Sequence, residues 1–192
     1  GHLKHLKYLF AELDIGFFYR NKLWIMLPNR KNTMTKADIM RFDEIKFNQV
    51  DSNKIYQLNF SDKEKFLGLG WTHNFDKDGV WSEGNIATLM LNLDKLKKND
   101  YIFKAEIEKY KLNKNNNYIL KIFVNNKLKN IINFSQKDKN NILEFKIKES
   151  EMISSTVIDF KFDGLISPFD MMINPDARKL GILLKNFSIN KI

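Results

Sequence analysis

Tyr101-Ile102-Phe103-Lys104-Ala105-Glu106-Ile107-Glu108-Lys109-Tyr110 alternates apolar and charged side chains along nearly its whole length. Successive side chains of a β-strand point to opposite faces. Tyr101, Phe103, Ala105 and Ile107 therefore share one face, while Lys104, Glu106 and Glu108 share the other and meet water. The same period of two continues on both sides. Downstream, Asn113–Asn117 reads as a loop and Tyr118–Val124 as a strand, and Asn125-Asn126 offers a two-residue hairpin turn into Lys127–Phe134. Ile142–Lys148, Ser155–Phe162 and Leu180–Ile189 follow as further strands. Upstream, Ile45–Val50, Ile55–Phe60 and Ile86–Leu93 complete the series. Strands at this spacing, with turn signals between them and no helical periodicity after residue 45, predict an all-β fold: an antiparallel, jelly-roll-like β-sandwich over residues 41–192.

Residues 1–40 differ in character. Leu3, Leu6, Leu9, Phe10 and Leu13 have the spacing of a short amphipathic helix. Ile15–Tyr19 and Leu23–Leu27 read as two short strands around Arg20-Asn21, and Pro28–Asn32 as a loop. This segment is expected to be a mixed linker or docking piece, separate from the sandwich.

The formal charge of +9 raises the question of nucleic acid. Only Arg20, Arg30, Arg41 and Arg178 are arginine, the residue whose planar fork suits phosphate and base edges. The lysines are interspersed with acids, as on solvated strand faces, so no nucleic-acid partner is expected. The absence of cysteine excludes disulfide and thiol chemistry. No apolar run approaches the length of a transmembrane helix.

Familiar catalytic signatures are missing. The chain has no phosphate-binding glycine loop, no metalloprotease histidine pair and no nucleophile elbow. Asp76-Lys77-Asp78 matches a bare Asp-x-Asp pattern, and Asn74, Asp76, Asp78 and Gly79 imitate the first half of a calcium loop. The twelfth position of that loop falls on Asn85 instead of glutamate. Neither a metal nor a cofactor is expected. The candidate chemistry lies between two tryptophans, Trp71 and Trp81, that bracket a polar, glycine-punctuated stretch. An exposed indole stacks on the apolar face of a sugar ring, and a buried one is ordinary sandwich core. Trp71 is open to either reading; Trp81, beside the Ile86–Leu93 strand, leans towards core. His73, Asp76 and Glu83 are placed to bond sugar hydroxyls. Asp176 and Arg178 either form an ion pair pinning the loop Ser167–Pro175 or make a polar lip for the same site.

These two constellations carry a resemblance. Gly70-Trp71-Thr72, Gly79-Val80-Trp81-Ser82-Glu83-Gly84, Ala87 and Leu89, closed by Ser167-Pro168, Asp176, Arg178 and Leu180-Gly181-Ile182, resemble a family of bacterial β-sandwich domains. That family is found at the C-terminal ends of surface-polysaccharide glycosyltransferases and phosphoglycerol-transferase-like proteins. The likeness spans residues 42–192. The loop between the tryptophans is one residue longer here and lacks the family's glutamate and extra tryptophan.

The resemblance implies a non-catalytic, carbohydrate-binding-like accessory domain working beside a catalytic glycosyltransferase domain in the bacterial cell envelope. Its ligand residues would be Trp71, His73, Asp76, Trp81, Glu83, Asp176 and Arg178. The alternative is a structural domain that packs on a catalytic domain or second subunit through Leu23–Leu27. A hydrolase would need two facing carboxylates, for which Asp76 with Glu83 or Asp176 are the candidates.

Overall fold

The computed structural model describes residues 47–58, 63–72, 77–96, 98–110, 117–134 and 141–192, together with the backbone of 17–19, 22–25 and 40–41. Of residues 63 and 64 only the backbone is described. The chain divides into two compact units, Gly1–Lys46 and Phe47–Ile192.

In the first unit, β1 (Phe17–Tyr19), β2 (Lys22–Ile25) and β3 (Met40–Arg41) form a three-stranded antiparallel sheet in that order. The helix expected over the first residues lies outside the described residues, as do the side chains of Leu23–Leu27.

The second unit is a β-sandwich. Its strands are β4 (Asn48–Gln49), β5 (Ile55–Gln57), β6 (Val80–Glu83), β7 (Ile86–Asn92), β8 (Tyr101–Lys109), β9 (Tyr118–Val124), β10 (Lys127–Phe134), β11 (Ile142–Ile147), β12 (Thr156–Asp163) and β13 (Leu180–Lys191). Among the described residues, a helical turn, α1 (Lys63–Phe66), and two short 3-10 turns, Asp94–Leu96 and Glu149–Glu151, interrupt them. One sheet runs β10-β9-β12-β7-β4 and the other β11-β8-β13-β5, with β6 also pairing β13. All pairings in this unit are antiparallel except the short β4–β7 contact.

Alternation puts the core where the sequence places it. Leu89, Ile122 and Phe160 of one sheet and Phe103, Ile182 and Phe187 of the other are fully buried in a single cluster. An aromatic ladder crosses the inner face of the second sheet. Phe145 stacks on Phe103 at 4.8 Å, Phe103 on Phe187 at 5.8 Å, and Phe187 on Tyr56 at 5.1 Å. The β9–β10 hairpin turns at Asn125 and Asn126, both with positive φ (47° and 65°), as a tight two-residue turn between twisted strands requires.

β13 departs from simple alternation. A register shift between Leu184 and Asn186 leaves Lys185 unpaired with β8, so Leu184 and Phe187, three residues apart, both enter the core. The Lys185 carbonyl accepts the Leu58 N–H at 2.9 Å.

Candidate functional site

The segment after α1 forms a corner between the sheets. Leu67 bridges Leu89, and Gly68 N–H donates to the Thr88 carbonyl on the edge of β7. Three residues later Trp71 bridges Ser82 of β6, and Thr72 N–H donates to the Trp81 carbonyl. Gly70 makes the crossing. Its φ is +77°, and a Cβ there would lie 1.8 Å from the Ile86 carbonyl oxygen.

This corner settles where Trp71 sits. The indole is 7% exposed, its Nε1–H donates to the Thr88 carbonyl at 2.6 Å, and its ring meets Phe160 edge-on at 6.0 Å. A ring closed in this way has no face to offer a sugar, which corrects the stacking role considered for it.

The two stretches that carry the family likeness, about a hundred residues apart, meet because β6 pairs with β13. Ser82 is fully buried, and its Oγ accepts the Ile182 N–H at 2.9 Å. Gly181 packs so closely that a Cβ would fall 2.7 Å from the Phe162 ring and 2.8 Å from Ser82 Oγ. The buried Tyr118 hydroxyl donates to the Gly181 carbonyl at 2.6 Å, and burial pushes that phenol well above its usual pKa. Gly70, Trp71, Ser82 and Gly181 are thus parts of one structural junction.

The outer face of the same junction has a different chemistry. β6 alternates buried and half-buried residues, so Val80 and Ser82 point inward while Trp81 and Glu83 point out together. Tyr110, just past β8 and half-buried, meets Trp81 edge to face, with ring centroids 5.3 Å apart. Leu183, the cross-strand partner of both Trp81 and Glu108, is 3% exposed on this outer face. The Gly84 N–H donates to the Lys179 carbonyl at 2.9 Å, which brings the Asp176–Arg178 stretch alongside Glu83.

Asp176 and Arg178 form a fork. Arg178 Nε lies 2.9 Å from Asp176 Oδ1, and Nη2 lies 2.6 Å from Oδ2. The Arg178 guanidinium holds the Asp176 carboxyl below its ordinary value, against a smaller opposing effect of burial. Asp176 in turn raises the Arg178 pKa, with further contributions from Glu83 and Tyr110, so all four groups share one electrostatic neighbourhood. The fork occupies the Nε and Nη2 edge of the guanidinium. The geometry of the group directs the N–H bonds of Nη1 away from Asp176.

The sequence-derived candidates therefore separate. Trp81, Glu83, Asp176 and Arg178 converge, Trp71 belongs to the core, and His73 and Asp76 lie outside the described residues. Tyr110 joins the group although nothing in the sequence marked it, since it stands at a strand end more than 25 residues from Trp81. Among the described residues no group of three or more His, Asp or Glu side chains could hold a metal ion.

No family model matches the chain, and no curated protein matches it. Solved structures similar to it include a family 6 carbohydrate-binding module (12% identity, TM-score 0.38), over 77% of this chain and 98% of that one. Another is a Clostridium stercorarium family 6 module in complex with cellobiose (10% identity, TM-score 0.34), over 74% and 89% respectively. A third is a Bacillus subtilis arabinoxylan arabinofuranohydrolase in complex with cellotetraose (9% identity, TM-score 0.39), over 92% of this chain and 40% of that one. Likenesses at this level assign neither a family nor a function.

Proposed function

We propose that Phe47–Ile192 is a non-catalytic carbohydrate-binding accessory domain of a bacterial surface-polysaccharide enzyme of the glycosyltransferase type. The observation that supports this reading best is the outward-facing group of Trp81, Tyr110, Glu83 and the Asp176–Arg178 fork. Half-buried aromatic rings supply the apolar platform against which a pyranose ring packs. The Glu83 carboxylate and the Nη1 edge of Arg178 supply an acceptor and donors for hydroxyls. The fork holds the guanidinium in place before a ligand arrives, which lowers the ordering cost of binding.

The glycosyltransferase setting rests on the family resemblance alone. In that setting the domain holds acceptor glycan near a catalytic domain. A shallow site exchanges well-hydrated hydroxyls for similar hydrogen bonds, so affinity is weak, with Kd on the order of 0.1–1 mM.

Calorimetric titration against a panel of bacterial surface oligosaccharides tests the reading. At least one glycan should bind, and Trp81→Ala should abolish binding while changing stability by about 1 kcal/mol or less. Failure of every glycan, or full binding by Trp81→Ala, sinks this site.

A further inference from the structure

The loop between β12 and β13 exposes an apolar tip. Within eight residues, Ile166 is 37% exposed, Phe169 61%, Met172 96% and Ile173 54%. Single exposed hydrophobics are ordinary, but four together on one loop mark an interaction surface.

The loop is also closed on itself. Backbone N–H groups of Phe169, Met171, Met172 and Ile173 donate to the carbonyls of Asp176, Ser167, Phe169 and Pro168. Ser167 Oγ accepts the Asp170 N–H at 3.1 Å. The charges nearby are paired, Asp170 with Lys179 and Asp176 with Arg178. Met172 sits at φ 57°, a backbone region that favours glycine or asparagine. The chain thus carries a long apolar side chain where turn geometry alone would favour a small or polar one.

We propose that this loop contacts a lipid bilayer, inserting Phe169, Met172 and Ile173 at the level of the headgroups of an anionic membrane. A tip entering that region is favoured by internal backbone hydrogen bonds and paired charges, and this one has four such N–H donors bonded to carbonyls and two ion pairs. Three exposed apolar side chains on one short loop fall well short of the roughly 20–30 residues a side of a stable protein interface. Reversible membrane attachment requires less apolar area when charge assists it, and the chain's net charge of +9 attracts an anionic surface. This membrane role is independent of the sugar reading.

Co-sedimentation of the full chain with phosphatidylcholine vesicles, with and without phosphatidylglycerol, tests it. Sedimentation velocity of the same proteins without lipid provides the comparison. Binding should require phosphatidylglycerol and weaken with added salt. The double variant Phe169→Ser/Met172→Ser should bind roughly tenfold less at unchanged thermal stability. A wild-type chain that stays in the supernatant at low salt overturns the proposal, as does a variant that binds equally well. Self-association in solution that the same variant abolishes also overturns it, in favour of a contact between copies.

Discussion

At the scale of single residues, the two tryptophans exchange the roles their neighbourhoods suggest. Trp71 lies in a glycine-rich polar stretch, yet Gly70 turns the chain so that its indole enters the core and bonds the Thr88 carbonyl. Trp81 lies in a strand, yet strand parity turns it outward. Trp71→Ala should therefore destabilise the domain by about 3–5 kcal/mol, read from urea denaturation, through loss of a packed ring and a buried hydrogen bond. Gly70→Ala should be damaging too, by about 2 kcal/mol or more, because it meets both a strained φ and the Ile86 carbonyl. If Trp71→Ala unfolded at the wild-type urea concentration, the core assignment would be wrong. Most residue types of the proposed site, Tyr110 excepted, were readable in the sequence. Which of them face each other was not, because that depends on the pairing of β6 with β13.

At the scale of elements, the hairpin was legible because Asn125-Asn126 marks its turn, and strands such as Tyr101–Lys109 and Ile142–Ile147 because their buried and exposed residues alternate. Tyr118–Val124, Asn125-Asn126 and Lys127–Phe134 form the strand, turn and strand that their pattern predicts. β6 was not legible: four residues inside a loop-like stretch carry too little period to stand out. Among the described residues the edge strands β4 and β5 are shorter than their pattern suggests: Phe47, Val50 and Leu58 fall outside them, although the Val50 and Leu58 N–H groups still donate to the Asn92 and Lys185 carbonyls. Bulges were equally hidden. In β10 a register shift between Leu128 and Asn130 leaves Lys129 out of the ladder, and its ammonium pairs with the Glu151 carboxylate. Glu151 is 5% exposed. Burial pushes its pKa up, but Lys129 and the Lys148 N–H outweigh that and leave it below the ordinary 4.5. A depressed folded value means the contribution is fully present above about pH 4.5 and is lost as the pH falls through the folded value. Glu151→Gln should cost about 3 kcal/mol at neutral pH. The gap to wild type should shrink on acidification, and urea midpoints across the acid range check this.

At the scale of the whole molecule, the all-β sandwich follows from a pattern of two-residue periods that packing has no reason to override. Alternating strands bury one face each, and two such sheets close on one core. Among the described residues, the second unit has a core cluster that runs from Val50 to Ile189. A fragment spanning Phe47–Ile192 should therefore unfold cooperatively on its own, with coincident circular dichroism and fluorescence transitions. A broad or non-coincident transition would show that the fragment depends on the first unit.

The central claim is that sugar meets this domain through Trp81 and not Trp71. Assigned indole N–H resonances of the three tryptophans, followed by NMR during titration with a glycan that binds, test it most directly. The account predicts that the Trp81 signal shifts with saturating ligand while that of Trp71, held on the Thr88 carbonyl, stays in place. A shift of Trp71 with Trp81 unmoved would contradict it.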